Sequence, residues 1–151
     1  MKVLAVCLGN ICRSPAAEAA IAEAAAAVGA DIEVDSAGTA AYHIGEPPDR
    51  RMRSAGSSAG LHIDGTARRF EPADFDRYDL IVVMDRSNLR DVLDQAPNES
   101  AADRVRLFRS FDPDADDLEV PDPYYGGPDG FRDVIVMVRR AAAGLVDQLG
   151  S

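Results

Sequence analysis

A chain of 151 residues, 46% hydrophobic and 28% charged, is long enough to bury a core without disulfide or metal support and reads as one domain, residues 1–151. Its net charge of −10 argues against nucleic acid and anionic membranes as partners, and two cysteines make no secreted disulfide framework. The apolar run from Val3 to Leu8 stops at Gly9-Asn10, too short for a membrane span or a signal core, so the expected setting is cytoplasmic and the expected state a monomer.

KVLAVC (2–7) is a continuous apolar run and predicts a strand buried on both faces. An Ala- and Glu-rich pattern predicts a helix over 15–28, its start marked by Ser14 before Pro15. IEVDSAG (32–38) reads as a second strand closing in a Gly turn. A helix is expected to begin near Asp49 and fade between Gly56 and Gly60. DLIVVMD (79–85) is a buried strand, followed by a helix over 87–95 that ends before Pro97. VRLFRSF (105–111) is the fourth strand candidate. An irregular acidic segment, 112–130, leads into a helix over 131–149. Strands alternating with helices predict an α/β fold with a parallel sheet covered on both faces, whose ligands bind beyond the carboxyl ends of the strands.

The turn C-L-G-N-I-C-R (7–13) occupies that position after the first strand. A Cys-x5-Arg spacing carries little by itself; its context carries more. Gly9 and Asn10 are residue types that can turn successive backbone N–H groups inward into an anion-binding nest. The helix that starts just afterwards aims its unpaired amides at the same point. Arg13 adds a planar fork for two phosphate oxygens. A cysteine at the focus of such donors, Cys7, is expected to act as a thiolate nucleophile on phosphorus, with Ser14 hydrogen-bonding the sulfur. The departing oxygen needs a proton, and Asp122 in P-D-P-Y-Y-G-G, flanked by Pro121 and Pro123, is the candidate acid. A merely solvated acidic loop is the other reading of Asp122.

These blocks together resemble the low-molecular-weight protein tyrosine phosphatase family over essentially the whole chain. V-C-L-G-N-I-C-R-S-P (6–15) is similar to that family's active-site loop and D-P-Y-Y-G-G (122–127) to its general-acid loop; D-S-A-G-T (35–39) and V-M-D-R-S-N-L-R-D (83–91) resemble further family blocks. The resemblance implies a three-layer, four-stranded parallel sheet with helices on both faces, of the flavodoxin-like, phosphotyrosine phosphatase I-like kind. It also implies a two-step reaction on phosphotyrosine-containing proteins. Cys7 attacks phosphorus, Arg13 and the loop Leu8, Gly9, Asn10, Ile11, Cys12 and Ser14 hold the phosphate, and Asp122 serves as acid and then as base. By the same resemblance Asn10 organises the loop, Ser36 braces it, and Tyr42 faces Tyr124 and Tyr125 as aromatic walls. Neither metal nor cofactor is expected. D-P-D-A-D (112–116) begins like a calcium loop, but Asp117 stands where glycine is needed. His43 and His62 read as surface or packing residues. One departure stands out: D-G-T-A-R (64–68) lacks the His that many relatives carry just before A-R.

Members that act on phosphoarginine have Thr just before the loop's second cysteine. Ile11 stands there in this chain, which favours phosphotyrosine over phosphoarginine. Arsenate reduction on the same fold relays electrons through further cysteines, and this chain has only Cys7 and Cys12. A non-catalytic phosphate-binding module is the alternative of another class, opposed by the presence of Cys7, Arg13 and Asp122 together. Peroxide is expected to join Cys7 and Cys12 reversibly. Arg50, Arg51 and Arg53 read first as a solvated helix face, and second as a preference for acidic residues beside the phosphotyrosine.

Overall fold

Strand β1 (Lys2–Cys7) buries every residue from Val3 to Cys7, because it lies at the centre of the sheet with helices over both faces. The structure, a computed structural model, describes residues 1–124 and 126–150. Four parallel strands stand in the order β2-β1-β3-β4, with β2 at Glu33–Gly38, β3 at Leu80–Val83 and β4 at Val105–Leu107. Alternation along β1 splits the core. Val3, Ala5 and Cys7 join a cluster with α1 (Arg13–Val28) and α6 (Pro128–Leu149) on one face. Leu4 and Val6 join Phe70, Phe75, Val92 and Ala101 on the other.

The helices follow from sequence with small, explicable shifts. α1 is rich in alanine, and its Ala16, Ala17, Ala20, Ile21 and Ala25 are buried, a small-residue face that lets α6 pack closely. It begins two residues earlier than the Ser14-Pro15 signal predicts, and no side chain caps it, because the Ser14 hydroxyl is engaged elsewhere. α2 (Arg50–Ser58) is capped by Asp49, which accepts from the amides of Arg51 at 2.8 Å and Met52 at 3.4 Å. α6 buries Phe131, Val134, Ile135, Val138, Ala142 and Leu145, spaced three and four residues apart, and starts at Pro128, three residues before the predicted position.

Other expectations need correction. The predicted strand at 79–85 stops at Val83; Asp85 leaves it to cap α4 (Arg86–Leu93), accepting from the Asn88 amide at 2.8 Å. The fourth strand ends at Leu107, and Phe108–Phe111 form a 3-10 turn. That turn places Phe108 and Phe111, three residues apart, both at 0% exposure beneath α6. Burying each contributes about 1.5–3 kcal/mol, which an extended strand with one face outward would forgo. Gly144 makes this packing possible, since a Cβ there would lie 1.8 Å from the Phe111 carbonyl oxygen. Two short helices, α3 (Asp74–Arg77) and α5 (Glu99–Ala102), lie in segments with no predicted element. Among the described residues, no helix is long and apolar enough to cross a membrane.

Sheet order reverses at β1, since β2 lies on one side of it and β3 on the other. In such sheets the crevice at the carboxyl ends of the strands beside that reversal receives ligands. Cys7 ends β1 at that crevice, and Asp85 follows β3 beside it.

Candidate active site

The loop after β1 turns on one unusual residue. Asn10 adopts φ 58°, the only positive φ outside glycine among the described residues. Asparagine tolerates the left-handed region better than most side chains. Gly9, expected to share this conformation, does not adopt it. Its role is clearance: a Cβ at Gly9 would meet the His43 ring at 3.0 Å.

The Asn10 side chain ties the loop down in three directions. Its Nδ2 donates to Ser14 Oγ at 2.8 Å and to Ser36 Oγ at 2.9 Å, and its Oδ1 accepts from the Arg68 amide at 3.0 Å. Ser36 Oγ in turn donates to Glu18 Oε1 at 2.6 Å. Burial raises the Glu18 carboxyl above its ordinary value, against the lowering effect of the Ser36 hydroxyl. This network holds the loop from behind. Glu18 and the Arg68 amide are supports that sequence reasoning missed, because neither is contiguous with the loop.

Donors converge on the sulfur of Cys7. The Asn10 amide donates to Sγ at 3.3 Å, and Ser14 Oγ lies 3.0 Å away. Ser14 Oγ already accepts from Asn10, and its other acceptor, the Ala37 carbonyl, is farther off at 3.4 Å. Sulfur is thus the nearer of the two acceptors open to the Ser14 hydroxyl. The Asn10 amide makes Sγ an acceptor and the Ser14 hydroxyl lies within reach to do the same, the arrangement an attacking thiolate requires.

Arg13 is buried and aimed by partners from distant elements. Its Nη1 donates to Asp85 Oδ2 at 2.6 Å and to the Val120 carbonyl at 3.0 Å, while Nη2 lies 3.7 Å from Asp122 Oδ2. Burial opposes the cation, but Cys7, Asp85 and Asp122 together outweigh it and hold the guanidinium above its ordinary value. Asp85 was not assigned this role from sequence; the available signal was an aspartate just past a buried strand adjoining β1.

The acidic segment is better ordered than its composition suggests. Arg109 donates to the Glu119 carbonyl at 2.8 Å and pairs with Asp116 at 2.9 Å. Fully buried Val120 donates its amide to the Met84 carbonyl at 2.7 Å. These anchors deliver Asp122 to the cleft mouth, where its Oδ1 accepts from the Tyr124 amide at 3.0 Å.

A cleft of about 300 Å³ results, lined by Cys7, Ile11, Arg13, Tyr42, Asp122 and Tyr124, with Leu8, Gly9, Cys12 and His43 completing it. The side chains of Asn10, Ser14 and Ser36 lie behind the loop and are not lining groups; the first two were expected to contact substrate, the third only to support. Tyr42 is 74% exposed at the rim, and Tyr124 is half-buried beneath the Arg51 guanidinium, 5.1 Å from its ring centroid. Tyr125, expected as a further wall, lies outside the described residues. His43, expected to be a bystander, lines the cleft with its ring 6.2 Å from that of Tyr124 and its Nδ1 2.6 Å from Glu46. Burial, then the Asp49 carboxylate, pushes the Cys12 thiol far up, so it stays protonated. Among the described residues no group of three or more His, Cys, Asp or Glu is placed to hold a metal ion.

Known proteins match nearly the whole of this chain. A low molecular weight protein-tyrosine-phosphatase from Streptomyces coelicolor is 46% identical over 96% of this chain and 91% of its own. Its counterpart from Schizosaccharomyces pombe is 40% identical over 91% and 90%. The crystal structure of a protein tyrosine phosphatase from Entamoeba histolytica, with Hepes in its active site, superposes with a TM-score of 0.96 at 40% identity, covering 99% of this chain and 96% of that one. The family model for low molecular weight phosphotyrosine protein phosphatase matches residues 2–151. By full-length sequence and by fold, this chain belongs to the low molecular weight phosphotyrosine protein phosphatase family.

Proposed function

We propose that this chain hydrolyses phosphotyrosine in proteins through a cysteinyl-phosphate intermediate. One observation carries the reading: Cys7 Sγ, which accepts from the Asn10 amide at 3.3 Å with Ser14 Oγ 3.0 Å away, shares one cleft with Arg13 and Asp122, whose Nη2 and Oδ2 lie 3.7 Å apart. In the first step the sulfur attacks phosphorus and the phosphorus–oxygen bond to tyrosine breaks. Asp122 gives its proton to the departing phenol oxygen. The uncapped start of α1 and the Arg13 Nη2 face the equatorial oxygens, whose charge grows in the transition state. In the second step Asp122, now a carboxylate, takes a proton from water; the water oxygen bonds to phosphorus and the sulfur leaves. Ser14 donates to the departing thiolate, lowering the barrier to that departure.

The cleft's apolar lining supports an aryl substrate. Ile11 carries no hydroxyl for a guanidinium, and Tyr42 and Tyr124 can flank a phenyl ring. The scheme calls on no metal ion or cofactor, because Arg13 and the loop amides take the phosphate charge. We place the enzyme in the cytoplasm, acting as a monomer, where Cys7 and Cys12 are kept reduced.

The test compares wild type with Cys7→Ser on a phenyl phosphate ester and on phosphotyrosine and phosphoarginine peptides. Wild type should hydrolyse the ester and prefer tyrosine, and Cys7→Ser should lose turnover while still binding oxyanions such as vanadate. Faster release from arginine peptides would overturn the substrate assignment. Oxyanion binding without turnover in wild type would reduce the chain to a phosphate-binding module.

A further inference from the structure

A second groove, of about 500 Å³, lies beside the catalytic cleft, lined by Arg50, Arg51, Ser54, Ser58, Gly127 and Arg132 among others. Arg51 stands between the two. Its guanidinium lies 5.1 Å from the Tyr124 ring centroid on the cleft side and 4.8 Å from that of Phe131 on the groove side. Two hydrogen bonds to Asp49, at 3.2 and 3.0 Å, fix it there. None of the groove's lining residues is acidic, in a chain whose net charge is −10. Arg132 pairs with Asp129 beside it on the same helix, whereas Arg50 is exposed and has no hydrogen-bond or ion-pair partner among the described residues. α6 also begins here without a side-chain cap, and its amides after Pro128 add to the positive field, against the charge of Asp129 in the same turn. Arg53, part of the same basic run, takes no part, since its Nε donates to the Pro48 carbonyl.

We infer that this groove is a second anion subsite for the substrate, taking an acidic side chain, carboxylate or phosphate, a few residues from the phosphotyrosine. The inference rests on the phosphotyrosine reading of the neighbouring cleft. Charge complementarity identifies the occupant. An anionic peptide is repelled by the protein as a whole, and this groove offers it an attractive path that continues directly into the cleft over Arg51 and Tyr124. Exposed ion pairs of this kind change affinity by about 1.5- to 5-fold each and weaken with salt.

The experiment measures kcat/KM on phosphotyrosine peptides flanked on both sides by Glu, by Gln or by phosphoserine, at low salt and at about 0.5 M salt. The Glu and phosphoserine peptides should exceed the Gln peptide by about 3- to 10-fold at low salt, and the margin should shrink in high salt. Preference for both anions supports the subsite for either source; preference for phosphoserine alone supports it with phosphate as the occupant. The double variant Arg50→Gln, Arg132→Gln should lose the preference while hydrolysing a phenyl phosphate ester like wild type. Arg50→Gln alone, at an exposed position, serves if the double variant loses ester turnover. Equal kcat/KM for the three peptides, or a preference that survives these substitutions, overturns the subsite while leaving the catalytic reading intact. Failure of wild type on the ester overturns both.

Discussion

Asp85 Oδ2 lies 2.6 Å from Arg13 Nη1, an ion pair that joins residues 72 positions apart across the carboxyl ends of β1 and β3. A side chain as long as arginine samples many rotamers, and this contact, with the Val120 carbonyl at 3.0 Å, selects one that leaves Nη2 facing the cleft. Asp85→Asn keeps Oδ1 to cap α4 and puts an NH2 donor where Oδ2 accepted from Arg13, so both the charge and that hydrogen bond are lost. Hydrogen bonds to charged groups are worth about 1.5–3 kcal/mol, so kcat on an aryl phosphate should fall about 10- to 100-fold. Steady-state kinetics check this; an unchanged kcat would mean that Arg13 needs no anchor.

Ser14→Ala removes a hydrogen bond to the departing sulfur. Hydrolysis of the cysteinyl-phosphate should slow by about 10-fold or more, and phosphoryl transfer to Cys7 should slow less. Rapid-quench measurement should then show a burst of phenol larger than that of wild type. A burst no larger would remove Ser14 from the second step.

Asp122→Ala deprives the leaving oxygen of its proton. Esters of weakly acidic phenols should lose about 10²- to 10⁴-fold in rate of phosphoryl transfer, and those of strongly acidic phenols far less. A plot of rate against leaving-group pKa should steepen in the variant. Parallel lines for the two proteins would assign the proton to another group.

Cys12 lines the same cleft as Cys7, and burial keeps its thiol protonated. Peroxide should convert Cys7 to a sulfenic acid with loss of water; Cys12 sulfur then bonds to it as its own proton passes to the departing hydroxide, which leaves as a second water. Intact mass should fall by the mass of two hydrogens and return with dithiothreitol, and activity with it. Cys12→Ser should instead gain oxygen and lose activity for good. Oxygen gain in wild type under mild peroxide would rule out the protective bridge.

Glu18 has its carboxyl raised by burial, so the folded protein holds that proton more tightly than the unfolded chain. Its effect on stability is most favourable below the unfolded value of about 4.5 and declines as pH climbs through the higher folded value. Glu18→Gln keeps an oxygen for the Ser36 hydroxyl without the charge. The urea midpoint of the variant relative to wild type should therefore rise between pH 5 and pH 8. A difference that falls over that range has the wrong sign and would place the raised group elsewhere.

What the sequence determined by itself was whatever is local. Continuous apolar runs at 2–7 and 79–85, helical spacing in the last 20 or so residues, and seven contiguous loop residues each act through neighbours in the chain, so their order alone foretold the parallel sheet and the place of Cys7. Ends of elements were less legible. The strand predicted at 105–111 ends at Leu107 and gives way to a turn because Phe108 and Phe111 gain more from a shared core beneath α6 than from extension, and α1 starts before Ser14, whose hydroxyl faces the sulfur and caps nothing. Only the tertiary structure chose Asp85 and the Val120 carbonyl for Arg13, Glu18 and the Arg68 amide for the loop, His43 for the cleft, and Arg132 rather than Arg53 for the second groove. These partners meet across tens of residues, where hydrogen-bond geometry, not periodicity, decides which polar group is close enough to matter.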